Sequence, residues 1–232
     1  MFGPECTPRH EHRSRRLAGP LTPPLSDNVD HVQLTKDIIM DAAMGILDEY
    51  GLQDLTIRRL ARHLDAAAGA MYWHFPSKQA LLGAVADRLL APLQELKATG
   101  DWRADATAFT ESLHSCLTSH RDGAEVVSAG LATDTVSVRP ASVLAPLLDD
   151  APIDSDLISD AAATLVYFIL GATVDEQTAA QLAKVAGTDT ATEATDEDTD
   201  GVSAATAAHG RRIRHGVDLI IAGIAAGGTA GE

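Results

Sequence analysis

Between residues 35 and 93 apolar side chains recur every three or four positions, and the recurrence breaks three times, at Gly51, at Asp65–Ala67 and at Pro76. Three breaks in so short a span leave room for four helices, two of them very short, and for little else. Ile38, Ile39, Ala42, Ala43, Ile46, Leu47 and Tyr50 mark the first, with Thr35 to cap it and Gly51 to end it. Thr56 caps a second, which turns Ile57, Leu60, Ala61 and Leu64 inward. A third carries Met71 and Tyr72 and stops at Pro76; Ser77 caps a fourth that runs from Lys78 towards Leu93. Two short helices across a tight turn, preceded by a longer one, make a helix-turn-helix unit.

The rest of the chain keeps the helical period, with segments near 102–120, 123–132, 136–148 and 155–184 and a last one near 209–226. In that last helix Ile213, Val217, Ile220, Ile221 and Ile224 form one stripe, which suits an interface as well as a core. Alanine is abundant and alternating β-branched runs are scarce, so the fold class is all-α: a three-helix helix-turn-helix unit of the DNA-binding kind joined to a larger helical core, to which the resemblance described below assigns ligand binding and dimerisation. The expected organisation is an arm at 1–34, a DNA-binding domain at 35–80, a core at 81–226 and a tail at 227–232. The arm holds five of the ten prolines and the basic tract RHEHRSRR, and is read as disordered. The acidic stretch 186–208 is poor in large apolar residues and is read as a flexible loop.

No apolar run approaches the roughly 18 residues of a membrane span, and no signal peptide opens the chain, so a cytoplasmic protein without a membrane partner is expected. Cys6 and Cys116 lie too far apart in sequence to suggest a disulfide framework or a zinc site. A phosphate-binding glycine loop, a nucleophile elbow and a His-Glu-x-x-His run are all missing. The expectation is therefore no catalytic residue, no metal and no cofactor.

A net charge of −15 argues at first against a nucleic-acid partner. Its distribution removes the objection: residues 1–34 sum to zero, 35–90 to −1 and 91–232 to −14. Within the near-neutral segment Arg58, Arg59, Arg62 and Lys78 flank the cluster Tyr72-Trp73-His74-Phe75 and give it a local basic footprint. Lys78 is informative because a cation in a helix's first turn opposes the macrodipole, whereas a phosphate there would satisfy both the ammonium and the free N–H groups.

The segment LTIRRLARHLDAAAGAMYWHFPSKQALL resembles the DNA-binding domain of the tetracycline repressor (TetR) family, with Thr56, Tyr72, His74, Phe75, Lys78, Leu81 and Leu82 in the family's order. SHRDGAEV, YFILGATVDEQ and IRHGVDLIIAGI extend the similarity to the tetracycline repressor's own branch over residues 35–226. The resemblance implies a homodimer that pairs through the helices near 155–184 and 209–224. It binds double-stranded DNA at a palindromic operator and answers to a small-molecule effector that shifts the fourth helix. Carried over position by position, DNA contacts fall on Thr56, Arg58, Tyr72, Trp73, His74 and Lys78. Thr56, Tyr72 and His74 suit phosphate hydrogen bonds, Lys78 a phosphate ion pair, and Arg58 a guanine edge. Ala68, Gly69 and Ala70 occupy the slots that face the bases; they permit close approach and methyl contacts but no donor–acceptor reading. For Trp73 and Phe75 packing on the domain's own core is the competing reading, and for Phe75 it is the expected main role.

On the effector side the resemblance breaks down. Where the branch has the magnesium-holding imidazole, a second His and an Asn, this chain has Val127, Gln94 and Phe109, with Leu113 in place of a Phe. AGLA replaces the Thr-Arg-Pro run, and only Asp175 matches an acidic position near the metal. Magnesium–tetracycline is therefore not the expected effector. A pocket of Phe109, Leu113, Cys116, Val127, Leu131 and Tyr167, edged by Gln94 and Asp175, would favour a mostly apolar molecule. The bare Ala-Gly surface also leaves open a small-molecule-binding protein that has lost operator recognition.

Overall fold

The computed structural model describes residues 34–189 and 197–227, with side chains over 34–185 and 208–227. The expected arm up to residue 33, the middle of the acidic loop and all but the first residue of the tail lie outside them. Nine α-helices follow in order among the described residues: α1 Lys36–Tyr50, α2 Ile57–His63, α3 Ala68–His74, α4 Lys78–Leu90, α5 Trp102–Thr118, α6 Gly123–Ala132, α7 Pro140–Leu144, α8 Ile158–Asp189 and α9 Glu197–Gly227. No strand occurs in these residues.

The first four helices begin where the sequence places their caps. Thr35 Oγ1 accepts the Ile38 N–H, Thr56 Oγ1 that of Arg59 and Ser77 Oγ that of Ala80, each satisfying a donor the helix leaves unpaired. Ala67 offers α3 no such bond. Between α2 and α3 the chain turns through Asp65, at φ 47°, and the Ala66 N–H reaches back to the Ala61 carbonyl. Leu60, Met71, Leu55 and Leu47 are fully buried beneath this unit, and Phe75 is nearly so. Leu64 is only half-buried, because it already belongs to the turn.

α4 crosses the boundary between the expected domains at 80/81 and lies across α6. Gly83 on α4 abuts the Thr135 carbonyl, and Gly130 on α6 abuts Val136 and Ala86; a methyl at either would drive into its neighbour. The helix expected over 136–148 is instead a turn, the short α7 and a 3₁₀ turn at Ala145–Leu148. Two features explain the difference. Asp134 takes a left-handed conformation at φ 56°. The Asp87 carboxylate of α4 accepts the N–H groups of Ser137 and Val138 at 2.7 and 2.8 Å, which a continuous helix would have used internally.

α8 turns Ala162, Leu165, Val166, Ile169, Leu170 and Thr173 into the core. Residues 155–185 are long and apolar enough to cross a membrane, which inspection for an uninterrupted apolar run did not anticipate. Their inward positions are buried against neighbouring helices of the same chain. α8 continues to Asp189 and α9 begins at Glu197, so helical backbone enters both ends of the stretch expected as a loop. Its alanines favour helix enough to oppose its lack of large apolar residues.

Candidate nucleic-acid interface and effector core

The second half of α3 is unusually bare of protein. Trp73 is 90% exposed and Tyr72 50%, while Phe75, two residues on, is 2% exposed. Burial of a large aromatic removes some 150–250 Å² of surface from water, so Trp73 forgoes a large stabilising term. Gly69 is exposed, and a Cβ built on it meets nothing within 4 Å. Ala68 and Ala70 are half-buried, as are His74, Lys78 and Thr56, and Arg58 is exposed on α2.

Arg59 departs from the basic footprint read in the sequence. Its guanidinium lies 3.7 Å from the centre of the Tyr50 ring and pairs with Asp54. It fastens α2 to the end of α1 and is committed before any ligand arrives. Arg58, the neighbouring position on the helix, is exposed and enters no ion pair among the described residues. Thr56 keeps its hydroxyl proton for an outside acceptor, because its oxygen only accepts in the cap.

The expected effector pocket divides into two places. Phe109, Leu113 and Val127 are fully buried and Cys116 is 6% exposed, all in the core, with Leu131 half-buried at the end of α6. Burial pushes the Cys116 thiol above its ordinary range, so it stays protonated and behaves as an apolar filler. Tyr167 and Asp175 do not join this group. They sit two turns apart on the outer face of α8, where Tyr167 is 71% exposed, and line a cavity of about 330 Å³ with Phe168, His209 and Arg212. Gln94 is exposed in the 3₁₀ turn after α4. The reason is helical phase: α8 is apolar around most of its circumference, so sequence alone does not say which apolar side faces inward.

Sequence reading missed a second cavity of about 320 Å³ between α5, α8 and α9, floored by Ile169, Ile213 and Val217. At its edge His114 Nε2 meets Glu176 Oε2 at 2.7 Å. It also missed Asp105, a buried carboxylate in the first turn of α5. The hydroxyl and backbone N–H of Thr99 donate to it at 2.7 and 2.9 Å and hold its carboxyl below the usual range.

This architecture has known relatives. The family model for bacterial regulatory proteins of the tetR family matches residues 39–85, and the tetracyclin repressor-like C-terminal domain matches residues 96–227. The chain belongs to the TetR family. The class A tetracycline repressor of transposon 1721 from Escherichia coli is 32% identical over 148 residues, which cover 62% of this chain and 68% of that protein. The crystal structure of Mycobacterium smegmatis BioQ is 38% identical with a TM-score of 0.70, covering 84% of this chain and all of that one. BioQ bound to its natural double-stranded DNA operator aligns at 37% identity and a TM-score of 0.68, over 84% and 99% of the two chains. The TetR-family match spans both the helix-turn-helix and the helical core, the two parts that a ligand-responsive DNA-binding regulator requires.

Proposed function

We propose that this TetR-family protein is a cytoplasmic, homodimeric repressor that holds a palindromic operator through α3 and is released by a small, mostly apolar molecule. The observation that carries the reading is the exposed Trp73–Tyr72 surface on a helix that buries Met71 and is followed by buried Phe75. In it, Tyr72, Trp73 and His74 track the phosphates and the groove wall beside Thr56, and Lys78 pairs with a phosphate at the start of α4. Ala68, Gly69 and Ala70 let the backbone approach the bases, and Arg58 supplies the bidentate contact to guanine. Specificity then leans on Arg58, on thymine methyls and on DNA shape.

The effector reading is supported by the apolar side chains of Phe109, Leu113, Cys116 and Val127 and by what replaces the metal site. Val127 cannot ligate magnesium, and Asp175 stands on the outer face of α8 rather than among the buried set. An effector entering among side chains already withdrawn from water has to part them. Because α6 and the turn that follows it are packed against α4 at Gly130 and Gly83, that displacement is passed to the helix that follows α3.

A gel-shift of the folded dimer against DNA upstream of its own gene tests the reading. Retardation at low salt that outlasts competition by random DNA supports it. No retardation by a folded dimer overturns it and leaves a ligand-binding protein that has lost operator recognition.

A further inference from the structure

α4 is not the sole connection between the helix-turn-helix and the core. The turn between α5 and α6, residues 119–122, is gripped from two sides. From α8, Gln177 Nε2 donates to the carbonyls of Leu117 and His120 at 3.1 Å each, and its Oε1 accepts the Ala124 N–H at 3.1 Å. That one side chain fixes the backbone before and after the turn. One helical turn further along, Gln181 Nε2 donates to Asp122 Oδ1.

From the DNA-binding side, Asp122 Oδ2 accepts the Leu52 N–H at 2.8 Å, just after α1. The Asp48 carboxylate accepts from His120 Nδ1 at 2.9 Å and from the Arg121 N–H at 3.3 Å, and Arg121 Nη1 donates to the Glu49 carbonyl at 3.2 Å. Asp122 is 8% exposed and sits at φ 55°, a conformation Asp tolerates better than most residues. Gly51 completes the fit, since a Cβ there would stand 2.7 Å from Asp122 Oδ2. An ionised carboxylate only accepts hydrogen bonds. With one oxygen held by α8 and the other by Leu52, Asp122 transmits the position of one to the other.

We propose that the α5–α6 turn is a second mechanical link, running from α8 to the α1–α2 connection through Asp122, and that Gln181 is the positioning residue that sets it. The consequence rests on the dimeric repressor reading: if α8 pairs with its mate, each DNA-binding unit is fixed to the dimer axis at two points. Removing the Gln181 donor leaves the Asp122 carboxylate bonded only to the unit it is meant to orient. The α1–α2 connection then keeps only α4 and the more exposed bonds of His120 and Arg121 to Asp48 and Glu49, and the spacing of the two recognition helices loosens.

Hydrogen exchange on the full chain tests this with three variants. Gln181→Leu removes the donor, Gln181→Glu sets carboxylate against carboxylate, and Gln181→Lys restores a donor. Leu and Glu should speed exchange across residues 48–55 by about tenfold or more, the scale of one lost hydrogen bond to a charged group. They should leave α5 and α6 protected, and the preference for selected over random DNA should fall. Lys should exchange as the unaltered protein does. Unchanged exchange at 48–55 in the Glu variant overturns the proposal, as does faster exchange spread evenly over the core, which a purely structural role would produce. Exchange needs no DNA, so failure of the gel-shift with the unaltered protein would count against the repressor reading alone.

Discussion

Two glycines, fourteen residues apart, occupy opposite environments. Gly69 on α3 faces open space, with no heavy atom within 4 Å of where a Cβ would be. Gly83 on α4 is pressed against the Thr135 carbonyl and leaves no room for a methyl. The first lies on an open surface, where the proposed function places the DNA. The second is a close contact where α4 meets the backbone of the turn that follows α6. α3 sacrifices its own stability, with an uncapped start and an exposed indole, while the α4–α6 crossing is packed to its limit. In the function proposed above, α3 is the reader and α4 the lever that steers it.

Substitutions break this contrast in graded steps. Gly83→Ala should cost about 1–3 kcal/mol of stability, the usual scale for overpacking, visible as a lower midpoint in urea or thermal unfolding. A neutral result would mean that the crossing yields. Next, Arg58→Ala should forfeit about 1–3 kcal/mol of discrimination at one base pair in each half-site. Lys78→Ala should weaken binding to all DNA alike and flatten its salt dependence. Equal losses on specific and random DNA for Arg58→Ala would refute its reading role. Gly69→Ala separates the two environments directly: the free protein should gain up to about 1 kcal/mol from helix propensity while operator affinity falls. A tighter operator complex would show that close approach is not why glycine stands there.

The smallest effect concerns acid. The Thr99 donors depress the Asp105 carboxyl, so its ionised form stabilises the fold above the carboxylate's ordinary range. That contribution fades as pH falls through the depressed value. Asp105→Asn should therefore be less stable than the unaltered protein at pH 7, with a gap that closes as pH falls through the depressed value, by urea titration across an acid series. A gap that persists in acid would assign the effect to packing.

Much of the reader was legible in sequence. Thr35, Thr56 and Ser77 are cap residues, and Gly51, Asp65 and Pro76 are breakers, so local chemistry alone placed α1 to α4. Phe75 inward was legible from where a short helix can meet its core; for Trp73 the sequence allowed either side, and its 90% exposure decides. The lever was not legible. Asp87 meets Ser137 across 50 positions, and Gln181 meets Asp122 across 59. No local period announces such pairs; SHRDGAEV and VDEQ were recognisable as motifs, yet nothing in either said that they touch. Tyr167 and Asp175 went astray for a related reason. A helix with apolar residues on both sides carries two plausible inward faces, and only packing chooses between them.

That choice leaves Tyr167, Leu182 and Val185 on α8 and Leu219 on α9 facing water, each more than 60% exposed. With its mate docked there, the chain's fold and its pairing become one equilibrium. Its melting temperature then becomes a function of protein concentration rather than a constant. At low protein concentration, abundance itself would set how much of it is intact.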